Sequence, residues 1–249
     1  MSCLVNHSKM TKVIRVERMK CKARNISTIL PSGAWKRKTC FLIGGGPSLE
    51  KFDFSFLNNE LSIGINKSFV FHPQVNYAMD ARFYDLVAHP TKGDGELLRL
   101  HEDWEKYKGI KVFARGSKKL VFDPSVYYVD ILPKKSLSFD LSKGIWPGNN
   151  SGFGALMLAI ALGCRRIGLL GFDLKVKEEK GRKKTHWHKG YSYSSSNLER
   201  KLDAFRKCFE EFYSTIAGQG IKVVNLNPDS ALQCFEKMSL ENFLKTIKK

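Results

Sequence analysis

Four apolar residues, Cys40-Phe41-Leu42-Ile43, run directly into Gly44-Gly45-Gly46-Pro47-Ser48. An apolar run this short, with no polar alternation, fits a strand buried on both faces, as in a parallel sheet. Three glycines at its end let the backbone approach an anion with no Cβ in the way. Pro47 suits the first turn of a helix, and a helix N-terminus turns unpaired N–H groups toward an anion. The loop therefore reads as a phosphate holder, with Ser48 adding a hydroxyl donor. The plainer reading is a tight structural turn. It is neither G-x-G-x-x-G nor a P-loop, because no Lys-Ser/Thr pair follows.

The rest of the chain repeats the alternation. Leu61–Ile65, Val75–Met79, Lys111–Ala114, Val126–Ile131, Arg166–Gly171 and Ile221–Asn225 read as strands. Helices are expected around Glu96–Tyr107, over Gly152–Leu162, over Leu198–Ala217 and over Leu240–Ile247. The Gly152–Leu162 helix is apolar nearly all round, so it should be buried, with Gly163 at its C′ position. Leu198, Leu202, Phe205, Phe209, Phe212 and Ile216 recur at helical spacing and mark one face. Strands alternating with helices predict an α/β, Rossmann-like fold, mainly parallel, with helices on both faces. A core of this kind is expected over residues 39–249, and residues 1–38 read as a basic N-terminal arm.

Charge supports that division. The formal net charge is +18, and residues 1–40 hold ten Lys/Arg against Glu17 alone. Residues 175–189 hold seven Lys/Arg against Glu178 and Glu179. Such blocks are solvated, or they attract a polyanion such as nucleic acid, an anionic membrane or a phosphorylated substrate. In the arm, Leu4, Val5, Val13, Ile14 and Met19 supply a weak apolar side. The six cysteines include no C-x-x-C pair and read as reduced thiols of a cytoplasmic protein. No apolar run approaches the roughly 20 residues of a membrane span, and no signal-peptide pattern is evident.

In a parallel sheet the strand C-termini share one edge, and ligands bind there. Asn66 and Asp80 follow the second and third strands of the core, with Arg82 close behind. Asn150, Ser151 and Gly152 open the buried helix, where Asn and Ser are N-caps by default and free N–H groups suit an anion. Asp173 closes the Arg166–Gly171 strand. His186 and His188 flank Trp187 in the second basic block, with Tyr191 and Tyr193 beyond. Imidazole titrates near neutrality and suits general acid–base work, and the tyrosines suit the wall of a sugar or base. Each of these residues also has a purely structural reading as cap, turn or packing. Two histidines are too few for a zinc site, and no metal site is assigned.

Taken in order, GGGPSL, FDFSFL, GINKSF, the D-x-R-F of residues 80–83, NNSGFGALMLAIALGCRRIGLLGFDL, the His-rich loop and GIKVVNLNPDSALQCF form a familiar series. It resembles the 6-hydroxymethylpterin diphosphokinase-like Rossmann family, many of whose members come from phages and bacteria. It is also similar to the sialyltransferases of glycosyltransferase family 42. The resemblance covers roughly residues 39–240. The sialyltransferase likeness implies a CMP-sugar, with Gly44–Ser48 on the phosphate side and Asn66 and Asp80 flanking the donor. It places Ser151 and Gly152 on the nucleotide, Asp173 by the ribose or cytosine, and His188 as the base in a metal-independent, inverting transfer. Those enzymes carry Asn at the position of Gly45 and Tyr near that of Lys175. The diphosphokinase likeness implies ATP or GTP with Mg²⁺ held by Asp80 and Asp173.

The expectation is a transferase, glycosyl first, with a nucleotide sugar and a saccharide or other small acceptor as partners. Its proposed site comprises His188, His186 and Asp173 for chemistry. Gly44, Gly45, Gly46, Pro47, Ser48, Asn66, Asp80, Asn150, Ser151 and Gly152 would serve the nucleotide, and Arg82, Tyr191 and Tyr193 the substrate. The alternatives are the Mg²⁺-dependent diphosphokinase and a non-enzymatic nucleic-acid binder using the basic arm and loop.

Overall fold

The computed structural model describes residues 24–89, 95–116, 123–179, 181–188 and 197–247. Tyr191, Tyr193, Cys3, Cys21 and the apolar residues expected of the arm fall outside them. The strands are β1 (Arg24–Asn25), β2 (Thr39–Ile43), β3 (Leu61–Ile65), β4 (Val75–Ala78), β5 (Ile110–Arg115) and β6 (Val126–Asp130), then β7 (Arg166–Leu170), β8 (Lys177–Glu179), β9 (Arg182–Lys184), β10 (Lys222–Asn225) and β11 (Glu236–Lys237). The α-helices are α1 (Ala81–Ala88), α2 (Gly95–Lys106), α3 (Ser151–Ala161), α4 (Leu198–Gly218) and α5 (Leu240–Ile247). Nine strands form one sheet in the order β1-β6-β5-β4-β3-β2-β7-β10-β11. Its pairings are parallel throughout. Strands β8 and β9 form a separate antiparallel hairpin.

The sheet is apolar on both sides because both sides are covered. On one face, Cys40 and Leu42 of β2, Ile63 of β3, Tyr77 of β4 and Val112 of β5 pack with α3 and α4. Residues 153–161 of α3 are all buried, which explains its lack of a polar stripe. It lies against β2, β3 and β4 and also touches α4. Asn150 caps it, its Oδ1 accepting from the Phe153 N–H at 2.8 Å. Gly163, at φ +95°, ends it. On the other face, α1 and α2 enclose Trp104, Phe83 and Phe113, and α5 inserts Phe243 against Phe41 and Val224. The expected α/β Rossmann-like sheet with helices on both faces is what the structure contains.

Two of the differences from the sequence expectation lie on either side of β2. The segment 24–38, read as part of an arm, is built into the domain. Asn25 of β1 pairs with Tyr128 of β6, and Ile26 and Trp35 are buried. The N–H groups of Gly33, Trp35 and Arg37 bond to the carbonyls of Ala161, Leu162 and Gly163. Its cations masked a tie at the end of α3. The second difference is Pro47: it opens a 3₁₀ turn of three residues, Pro47–Leu49, instead of an α-helix.

From β2 the chain steps outward through β3, β4, β5 and β6. It then returns to lay β7 on the opposite side of β2 and continues to β10. The strand order therefore reverses between β2 and β7, and the C-terminal ends of those two strands border a topological switch point.

Candidate functional site

At this switch point the glycine loop after β2 meets the loop after β7. The Gly44 N–H bonds to Leu170 O at 2.7 Å and the Gly46 N–H to Gly171 O at 2.8 Å. Asp173, buried, accepts from the Ser48 N–H at 3.0 Å and from Ser48 Oγ at 2.7 Å. The first turn after the loop is thus satisfied by a carboxylate of the chain itself. The N–H and hydroxyl of Ser48, expected to hold a phosphate, are both engaged by Asp173. The glycines are set by space. A Cβ on Gly46 would stand 1.9 Å from Asp173 Oδ2, and one on Gly44 would stand 2.7 Å from Gly171 O.

The β7 loop carries strain that its neighbours hold in place. Leu174 has φ +46°, an unfavourable region for a bulky side chain. Arg206 Nη1 donates to its carbonyl at 2.7 Å. The Ala231 N–H donates to Asp173 O at 2.8 Å, and Ser230 Oγ to Phe172 O at 2.6 Å. These bonds hold the backbone of residues 172–174, and Ser48 holds the Asp173 carboxylate.

The histidines arrive from the hairpin β8–β9. Alternate residues of an extended segment face the same way. The Trp187 N–H bonds to Gly45 O at 2.9 Å, and its indole packs toward Phe71, ring centres 4.8 Å apart. His186 and His188 fall together, ring centres 5.2 Å apart. His186 lies so close to Gly45 that a Cβ there would approach its Cδ2 at 2.8 Å. This contact gives a local reason for glycine at position 45. Thr185 Oγ1 lies 2.9 Å from His186 Nδ1. Burial, aided by the Lys67 ammonium, lowers the pKa of His186 to about 4, so the ring is neutral at pH 7.

A cleft of about 120 Å³ opens here, walled by Gly45, Gly46, Gly171, Leu174, Thr185 and His186. Helix α4 closes it with Leu198, Leu202 and Phe205, and Lys175 and Lys201 give it positive charge. The other expected residues sit elsewhere on the same edge. Asn66, in the left-handed region at φ +53°, begins a 3₁₀ turn whose Ser68 Oγ donates to Gly44 O at 2.8 Å. Asp80 is exposed and caps α1 through the Arg82 N–H at 2.9 Å. Ser151 Oγ accepts from the Met79 N–H at 3.2 Å, and Gly152 lies against Phe172. Of the expected residues that the structure describes, Gly45, Gly46 and His186 line the cleft, whereas Gly44, Pro47, Ser48, Asn66, Asp80, Arg82, Asn150, Ser151, Gly152, Asp173 and His188 do not; His188 stands beside it, its ring centre 5.2 Å from that of His186. Lys67, Thr185, Leu174 and Lys201 were not anticipated. Lys67 follows Asn66 in G-I-N-K-S and is buried despite its charge, a conflict of type and place that sequence does not display.

Asp80 and Asp173, the carboxylates that the diphosphokinase likeness would give to Mg²⁺, both have partners within the chain. The first is occupied as a helix cap, the second by Ser48. Among the described residues no three His, Cys, Asp or Glu side chains converge as a metal site. No described helix is long and apolar enough to cross a membrane.

Comparison with known proteins finds no matching family model and no matching curated protein. Two solved structures share a loose likeness. One is the MAf glycosyltransferase from Magnetospirillum magneticum AMB-1, at 13% identity and a TM-score of 0.45 over 82% of this chain. This chain spans 34% of that protein's length. The other is a variant of the alpha-2,3/8-sialyltransferase CstII, at 16% identity and a TM-score of 0.45. There the match covers 81% of this chain and 87% of the other. The fold assignment stands on the parallel sheet itself.

Proposed function

We propose that the switch-point cleft receives the phosphate end of a nucleotide sugar and that the protein transfers the sugar to a hydroxyl acceptor. The observation that carries this reading is the meeting of Gly45, His186 and two lysines at the reversal of strand order. Such reversals are where α/β sheets bind ligands. The cleft is below the roughly 300 Å³ of a pocket that encloses a drug-sized ligand. It suits one end of a donor, with the remainder running along the rim toward Asn66 and Ser151.

In the proposed step the acceptor oxygen forms a bond to the anomeric carbon as the carbon–oxygen bond to phosphate breaks. The acceptor proton passes to an imidazole, and Lys175 and Lys201 oppose the charge of the departing phosphate. Buried near Lys67, His186 is a weak base, so His188 is assigned as the proton acceptor and His186 as its neutral neighbour against the donor. Asp173 acts through Ser48 to hold the two loops in register. A CMP-sugar is the first donor to test, and Lys175 stands where the family 42 enzymes place Tyr.

Thermal melting with CMP, UMP, UDP, GDP, ATP and GTP, each with and without Mg²⁺, tests the binding half. A nucleotide that binds the native state raises the melting temperature. Stabilisation by a nucleoside monophosphate or diphosphate without Mg²⁺ is expected. A response confined to triphosphates with Mg²⁺ would overturn the proposal in favour of diphosphoryl transfer. Donor hydrolysis over a nucleotide-sugar panel tests the chemistry, and full activity in His188→Ala would remove the assigned base.

A further inference from the structure

The edge of the sheet opposite the cleft carries its own chemistry. Lys36, Arg37 and Lys38 are exposed just before β2, and Arg165 and Arg166 lie at the start of β7. The two groups are adjacent, since the Arg165 N–H bonds to Lys38 O at 3.3 Å and the Arg37 N–H to Gly163 O at 2.9 Å. None of the ion pairs among the described residues involves these five cations. Arg165 and Arg166 each use one guanidinium nitrogen on a carbonyl, of Gln219 and Thr246. Apolar surface adjoins the charge. Phe139, 43% exposed, lies 5.8 Å from the Arg165 guanidinium carbon. The acid beside it, Asp140, is turned to Ser142 and Lys143. Trp35 is buried beneath the segment and fixes its backbone.

We propose that this N-terminal edge is a docking surface for an anionic lipid membrane. Clustered cations draw a protein to an anionic leaflet, each one near the surface tightening binding about fivefold. An exposed aromatic ring among them suits the headgroup boundary. A nucleic-acid duplex would use the same cations, but the exposed phenyl ring favours the lipid. Six further Lys/Arg against a single acid precede Arg24 in the chain, interleaved with Leu4, Val13, Ile14 and Met19, a composition of the same kind. Docked this way, the protein presents the cleft, at the opposite ends of the strands, away from the bilayer.

The test is sedimentation of the full chain with vesicles of phosphatidylcholine alone or with about 30% phosphatidylserine, in about 0.1 M and 0.5 M salt. Binding to the anionic vesicles only, weakened by salt, is expected. Charge reversal by Lys36→Glu, Arg37→Glu and Lys38→Glu together should weaken it about a hundredfold or more, and Phe139→Ala several-fold. If the triple variant does not melt like the parent, the milder pair Lys38→Gln and Arg165→Gln, expected to lose about tenfold or more, decides instead. No binding to anionic vesicles would overturn the proposal. So would binding unchanged by these substitutions but abolished by Lys9→Gln with Lys12→Gln. Tight binding of duplex DNA or RNA without vesicle binding would also overturn it, and would assign the surface to nucleic acid.

Discussion

Gly46 is the residue with least room to change. Alanine there would place a methyl group 1.9 Å from Asp173 Oδ2 and 2.6 Å from the Gly171 carbonyl. Relief requires moving a strand end or breaking the Ser48–Asp173 pair. Gly46→Ala should cost about 3 kcal/mol or more, read as a fall in the urea midpoint. Gly218→Ala, where a Cβ meets nothing within 4 Å, should be neutral or slightly stabilising. His186 makes a prediction with a sign. Its native pKa of about 4 lies below the ordinary histidine value of 6.5, so the unfolded chain takes up the proton first. Stability is unaffected above pH 6.5 and declines as pH falls from 6.5 toward 4, by up to about 3 kcal/mol. Melting curves across that range should show the decline in the parent, and His186→Gln should lose most of it.

At the level of elements, the Ser48 hydroxyl stitches the turn after β2 to the loop after β7. Ser48→Ala removes one of two hydrogen bonds to a buried carboxylate, a loss of about 1.5–3 kcal/mol. If the cleft depends on that stitch, the nucleotide-induced rise in melting temperature should shrink in this variant. A rise equal to that of the parent would show that the cleft keeps its shape without it. Legibility also varied by element. The glycine loop after β2 and the burial of α3 could be read because an apolar run is locally unambiguous. Helix α1 could not: Ala81–Ala88 is short and carries Arg82 and Asp85, and Asp80, read as a ligand, is its cap. The two-residue strands β1 and β11 have no sequence signal, because each exists only through its partner. The glycine loop was read as the holder of a phosphate. That the approaching groups are Asp173 and His186 is a fact of strand order, which no local pattern contains.

The whole molecule gives a sharper meaning to the segment 24–38. By charge alone it is a solvated arm; by packing it closes one end of the domain. Burial of Ile26 and Trp35 contributes about 1.5–3 kcal/mol each. The N–H groups of Gly33, Trp35 and Arg37 satisfy the carbonyls at the end of α3, which the helix cannot satisfy internally. Leaving those carbonyls unpaired beside the core costs about 1–3 kcal/mol for each one that water does not reach. These terms together rival the roughly 5–15 kcal/mol of net stability available to a domain. A chain begun at Thr39 should therefore fail to give a cooperative melt, whereas one begun at Arg24 keeps every contact described above and should melt as a single transition. Cooperative unfolding of the chain begun at Thr39, near the parent's midpoint, would return residues 24–38 to the status of an appendage. The cations at 36–38 are thus held on a structural tie, and their position relative to the cleft is set by the same sheet that brings Gly45 to His186.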